Sequence, residues 1–190
     1  MGGADPSAII GGKLPYIGGN GRVGKSDAIV CEACEYVDTF LQLTPYLSVI
    51  LNIDADHLDY FGTLDNIIRS FHQFALQTTG VIVANGDDPN VRKALEGITN
   101  AEIITFGLGK KNDYSAANVR DEQKACEDFT VLKHGKPLCE AKLSIPGRHN
   151  ILNALAAAAV ADRMGIASEA IASALHEFRG VHRRFEVLGE

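Results

Sequence analysis

The chain has 190 residues, 46% of them hydrophobic, and a formal net charge of −6. That is enough apolar material for one substantial core; the acidic balance excludes a basic nucleic-acid surface, and no run approaches the roughly 18 apolar residues of a membrane span. The opening MGGADPSAII lacks the basic and apolar stretches of a secretion signal, and four cysteines without one fit a reducing cytoplasm better than a disulfide framework.

In chain order, residues 1–26 are rich in glycine and read as loops with a short hairpin. Residues 28–31 and 47–53 are apolar runs without the alternation of a half-exposed strand, which predicts two buried parallel strands. Leu64, Ile67, Ile68, Phe71, Phe74 and Ala75 recur at helical spacing and predict an amphipathic helix over 64–77. A strand at 81–84 is closed by the turn Asn85-Gly86-Asp87-Asp88-Pro89, with a helix over 89–96 and a strand over 102–106 beyond it. This alternation predicts an α/β fold with a doubly wound, mainly parallel sheet. Segments 113–120, 127–133 and 138–145 are short and partly alternating, which predicts a small antiparallel sheet inserted in or attached to the main one. Helices resume over 149–164 and 168–178, the second with Ser168 as its expected N-cap.

Three motifs carry possible chemistry. Gly19-Asn20-Gly21-Arg22-Val23-Gly24-Lys25-Ser26 spells a phosphate loop. Its flanks predict the reverse context, with no convincing strand before it and a strand rather than a helix after it. Cys31-Glu32-Ala33-Cys34 has redox spacing but ends a strand instead of opening a helix, and its neighbouring glutamates would raise a thiol pKa. Small buried cysteines are the expectation. Asn52-Ile53-Asp54-Ala55-Asp56-His57-Leu58-Asp59 follows a predicted strand directly, at the edge where open α/β sheets bind ligands. On the residues alone two readings stay open: a solvated acidic turn, or a divalent-metal or phosphate-transfer site that also draws on Glu32.

The stretches GGNGRVGKSD, CEACEYVDTFL, LNIDADHLDYFG, NGDDP, PGRHNILNALAA and GVHRRFE together resemble the Mur ligases, which add amino acids to the cell-wall precursor. The resemblance spans essentially the whole chain, and Glu32-Ala33-Cys34-Glu35-Tyr36 with the Asn52–Asp59 motif is similar to the alanine-adding branch. It implies a cytoplasmic central domain of P-loop-NTPase type over 1–182, with 183–190 as a linker. ATP and Mg²⁺ are the implied cofactors, UDP-N-acetylmuramate and L-alanine the implied substrates. The implied chemistry is phosphorylation of the muramyl carboxylate by ATP, then displacement of phosphate by the amine of L-alanine.

Carried over by residue, Glu32 and His57 match the catalytic Mg²⁺ ligands and are expected at the carboxyl ends of adjacent parallel strands. His149, Asn150 and Asn153 match the residues holding adenine and its sugar, and Arg184 the arginine that approaches the nucleotide. Asn20 and Arg22 fall on the muramyl side. The family's phosphate loop precedes the stretch that begins at Asp5-Pro6, so the resemblance implies that the chain lacks it. The chain alone is then expected to be inactive, to bind ATP weakly, and to self-associate through uncovered sheet. The lysine that several relatives carbamylate falls near His72, so that device is not expected here. A sister ligase acting on murein tripeptide and a non-catalytic domain are the alternatives.

Overall fold

β1 (Ser7–Leu14), β2 (Gly19–Arg22) and β3 (Ile29–Cys31) form a three-stranded sheet of order β2-β1-β3 in a computed structural model that describes residues 2–122 and 126–180. β1 and β2 are an antiparallel hairpin, and β3 runs parallel to β1 with Ile9 opposite Cys31. This corrects the expectation of a buried strand at 28–31 belonging to the main sheet. β3 pairs on one edge only, and Ile29 and Val30 remain 61% and 53% exposed. An apolar run reports the intrinsic character of a strand, not which sheet takes it up.

The second sheet starts with β4 (Leu47–Ile50), and the chain then passes through a short helix α1 (Leu58–Phe61) and the long α2 (Leu64–Gln77). β5 (Val81–Asn85), α3 (Pro89–Ala94) and β6 (Glu102–Phe106) follow, and β4, β5 and β6 are parallel neighbours. β7 (Tyr114–Glu122), β8 (Cys126–Lys133) and β9 (Lys136–Leu143) continue the same sheet as an antiparallel meander, joined to β6 through the single pairing Phe106 with Tyr114. α4 (Arg148–Arg163) and α5 (Ser168–Glu177) close the described chain.

All five residues of β5 are buried because the strand feeds two cores. Val81 and Val83 join Ile104, Phe106, Leu155 and Ile171 on the α4–α5 face, whereas Ile82 and Ala84 join Ile50, Ile67, Ile68 and Val91 under α2 and α3. A strand covered by helices on both faces has no polar side to show, hence its unbroken apolar sequence. α2 occupies the predicted bounds and is capped by the Thr63 hydroxyl, which accepts from Asn66 N at 3.3 Å. α5 corrects a detail: Ala167, with extended backbone, is its N-cap, and Ser168 is already the first helical residue.

Two joints tie the halves of the large sheet to the helices. The Tyr114 hydroxyl donates to the Asp162 carboxylate on α4, and Lys133 Nζ reaches the same carboxylate at 2.6 Å. Arg163, at the end of α4, pairs at 3.0 Å with Glu102, the first residue of β6. The C-terminal end of α4 is thereby tied to β6 through Glu102 and to β7 and β8 through Tyr114 and Lys133. Among the described residues no helix is long and apolar enough to cross a membrane.

Candidate functional site

His57 stands just past the carboxyl end of β4, where its carbonyl accepts from Tyr60 N and Phe61 N, both at 3.0 Å, and so opens α1. Its backbone is left-handed, with φ 52°. Such a conformation in a non-glycine residue costs free energy and persists only where surrounding contacts enforce it. Here those contacts are visible. Asp56 N donates to Asp54 O at 2.9 Å across the turn, and the Asp54 and Asp56 carboxylates accept from Ala55 N and His57 N, each at 2.7 Å. The imidazole lies against the Tyr36 ring with centroids 4.7 Å apart, and its Nε2 is 3.4 Å from Glu35 Oε1.

The segment after β3 that supplies these partners is itself strained, since Val37 and Asp38 both take positive φ, 50° and 56°. What holds it is Phe40, 1% exposed and stacked on Phe74 of α2 at 4.8 Å. Asp38 then meets two hydroxyls: Tyr60 donates to it at 2.8 Å and Ser70 of α2 donates to its other oxygen. The hydrogen bond to Asp38, with some burial, raises the Tyr60 phenol pKa. Tyr36 completes the ring of contacts with its hydroxyl 3.4 Å from Asp59. Glu35, Tyr36, Asp38 and Tyr60 carried no site role in the sequence; the signal available was that Glu35-Tyr36 belongs to the Glu32 motif that resembles the alanine-adding branch.

Glu32 does not join this group. β3 ends at Cys31, so the Gly11 N–H on β1 loses its ladder partner, and the Glu32 carboxylate turns back to accept it at 2.6 Å. The approach requires glycine, because a Cβ at position 11 would sit 2.7 Å and 2.8 Å from the two carboxylate oxygens. The ion-pair partners of His57 are Glu35 and Asp56. The strands preceding Glu32 and His57 lie in different sheets rather than side by side, which corrects the expectation of adjacent strands. Cys31 and Cys34 are exposed free thiols, another correction.

Among the described residues no group of three or more His, Cys, Asp or Glu side chains is assembled as a metal cage. The Glu35–His57 pair sets one carboxylate and one imidazole 3.4 Å apart; the carboxylate suits a small hard cation that retains most of its own waters, and the imidazole adds a borderline ligand. His149, Asn150 and Asn153 all lie in the first turns of α4. Asn150 donates from its side chain to Pro146 O at 2.7 Å, and Asn153 donates to Asn150 Oδ1 at 3.4 Å. Gly147, with φ 110°, lets the His149 ring fold back, for a Cβ there would lie 2.7 Å from the ring's Cε1. Arg184 lies outside the described residues.

The octad at 19–26 has the backbone of a hairpin, not of a phosphate loop. Its first half is β2, no helix follows, and its N–H groups serve Asp5: Lys25 N donates to Asp5 Oδ2 at 3.0 Å and Ser26 N to Asp5 O at 3.2 Å. Gly24 N donates to the Ser7 hydroxyl at 3.1 Å. Arg22 pairs with the Asp5 carboxylate, while Asn20 is exposed on β2. His72 faces away from the site, with Nδ1 at 2.8 Å from Ala94 O in the packing of α2 on α3.

The sequence profile of the Mur ligase middle domain matches residues 16–161. A UDP-N-acetylmuramate–L-alanine ligase of Caldanaerobacter subterraneus is 48% identical over 98% of this chain, and the Clostridium tetani protein of the same name is 43% identical over 97%. The chain spans 41% of the length of each. The solved structure of the Thermotoga maritima UDP-N-acetylmuramate–alanine ligase superposes with a TM-score of 0.81 at 31% identity, covering 98% of this chain and 41% of that one. The Neisseria meningitides UDP-N-acetylmuramate:L-alanyl-γ-D-glutamyl-meso-diaminopimelate ligase gives 0.84 at 28% identity, covering 95% of this chain and 60% of that one.

Proposed function

The chain belongs to the Mur ligase family through its middle domain, and we propose on that premise that it is the nucleotide-handling domain of an ATP-dependent ligase joining L-alanine to UDP-N-acetylmuramate. What carries this reading is a carboxylate–imidazole pair 3.4 Å apart, just past a parallel strand's carboxyl end, in a chain 48% identical to a ligase named for that reaction. In the reaction ATP gives its terminal phosphoryl group to the muramyl carboxylate, forming an acyl phosphate and ADP. The amine of L-alanine then attacks the acyl carbon, and phosphate leaves. A Mur ligase needs little covalent help from its side chains for this; positioning and charge neutralisation dominate.

His57 and Glu35, with Glu32 once it leaves Gly11, are the residues that would hold Mg²⁺, which when bound offsets the charge of the phosphoryl oxygens. His149, Asn150 and Asn153, in the first turns of α4, would face the adenosine. Arg22 is less suited to the muramyl side than Asn20, because its guanidinium is already committed to Asp5. ATP and a UDP-linked sugar are cytoplasmic compounds, which supports that location. The free edges of β3 and β4, with Ile29 61% and Val49 40% exposed, support self-association of the chain by itself.

Domain exchange tests the reading. The Caldanaerobacter ligase carrying this chain in place of its own matching segment should release ADP only when both UDP-N-acetylmuramate and L-alanine are present. Folded chimera that ignores alanine but accepts the murein tripeptide would assign the sister activity instead. Calorimetry on the chain alone should give a dissociation constant for Mg·ATP weaker than about 1 μM, or about −8 kcal/mol, because the octad's N–H groups are already bonded to Asp5 and Ser7.

A further inference from the structure

β4 stops at Ile50, opposite Ala84, while β5 runs on to Asn85, so the backbone of 51–53 has no ladder to satisfy it. Side chains from the turn after β5 take the ladder's place. Asn85 Nδ2 donates to Leu51 O at 3.0 Å, and Asn90 Nδ2 donates to Ile53 O at 2.8 Å. Ile53 N donates to Asp88 Oδ2 at 3.4 Å. Asp88 is in turn fixed as the N-cap of α3, its other oxygen accepting from Asn90 N at 2.8 Å and Val91 N at 3.0 Å. Asn85 is 6% exposed and Ile53 2% exposed, so water does not readily replace these bonds.

We propose that Asn90, seconded by Asn85, is a positioning residue for His57. The turn between Ile53 and His57 has only three residues inside it and is tightened by Asp56 N donating to Asp54 O at 2.9 Å, leaving little slack between the tethered carbonyl and the imidazole. Where Ile53 O is held therefore decides where the His57 ring lies, and that ring must meet both Tyr36 and Glu35 while its backbone stays left-handed. Outer residues that orient a metal-binding imidazole commonly matter through such a chain of bonds. The inference rests on His57 belonging to the metal and phosphate-transfer site, but the tether itself does not.

Nuclear magnetic resonance of the 190-residue chain separates the two. In Asn90→Asp, which keeps the shape but replaces the donor by a second acceptor facing Ile53 O, the His57 ring protons should lose the displacement caused by the Tyr36 ring. His134 and His176, remote from the turn, should not move. Mn²⁺, used as the probe, should need about tenfold higher concentration to broaden the His57 signal. Asn85→Asp should act in the same direction. A folded Asn90→Asp with His57 at its wild-type position overturns the proposal. If that variant does not fold, the wild-type chain still decides: the Asn90 side-chain amide should exchange its protons much more slowly than the exposed Asn153 amide, and equal rates overturn the tether. Failure of Mn²⁺ to broaden His57 in the wild type would instead sink the metal reading, leaving the tether to stand or fall on the ring shift.

Discussion

The Glu32 carboxylate lies 2.6 Å from Gly11 N on one strand and is one residue past the end of another, so a single missing Cβ decides where its charge rests. An alanine at position 11 would place its methyl within 2.8 Å of both carboxylate oxygens, and a flexible side chain yields before a backbone does. Gly11→Ala is therefore expected to expel Glu32 into solvent, costing about 0.5–1 kcal/mol for an exposed hydrogen bond in urea unfolding. Mn²⁺ binding should hold or improve if Glu32, freed from Gly11, can serve as a metal ligand; weaker binding would count against any metal role for Glu32. The place of the His57 turn, beyond a parallel strand, was legible in the sequence because three acids within six residues follow an apolar run. The destination of Glu32 was not, because it depends on the register between β1 and β3, and Glu35 gained its place only through the left-handed turn at Val37 and Asp38.

Among the elements, the irregular segment Tyr36–Gln42 shows how a poorly periodic stretch is made rigid. It has two residues of positive φ and no amphipathic pattern, yet Phe40 is 1% exposed, stacked on Phe74 at 4.8 Å and edge-on to Phe71 at 5.1 Å. Gln77 of α2 also donates to Leu41 O at 3.0 Å. α2 thus serves as the wall on which the Glu35–Asp38 side of the site is hung. Phe40→Ala is expected to cost about 3–5 kcal/mol, as for other buried phenylalanines. It should also release Tyr36 from His57, read as a change in tyrosine fluorescence at denaturant concentrations where the chain is still folded. A loss below about 1 kcal/mol would mean that the segment is held by its polar contacts instead. The bounds of α2 could be read from spacing because its apolar face repeats over 14 residues. Segment 36–42 offers no repeat to read, and its one anchor is meaningful only once α2 is in place.

At the scale of the whole molecule, the change from parallel to antiparallel pairing was legible, since alternation replaces continuous apolar runs where helices give way to hairpins. The separation into two sheets was not, because a strand's local sequence does not name its neighbour. What joins the parallel and antiparallel halves is partly electrostatic. Asp162 on α4 takes Lys133 of β8 at 2.6 Å and the hydroxyl of Tyr114 on β7. Asp87 takes Leu108 N at 2.6 Å, Gly109 N at 2.9 Å and Asn112 Nδ2 at 2.8 Å, clasping the β6–β7 loop to the turn after β5. Partial burial pushes both carboxyls up, but these donors outweigh it and hold both below the usual carboxylate range. A carboxylate depressed in the folded state stabilises the fold above its unfolded pKa, and that contribution disappears as pH falls through the folded value. Stability should therefore be nearly level from neutral pH down to about 5 and decline below about 4, near the ordinary carboxylate pKa. Asp162→Asn should cost about 1–2 kcal/mol at pH 7 by weakening two hydrogen bonds, one of them to a lysine. It should also flatten the acid decline, so that wild-type and variant urea midpoints converge as pH approaches about 3. Curves that stay parallel from pH 7 to the acid limit would show that Asp162 is not among the groups whose protonation loosens the joint.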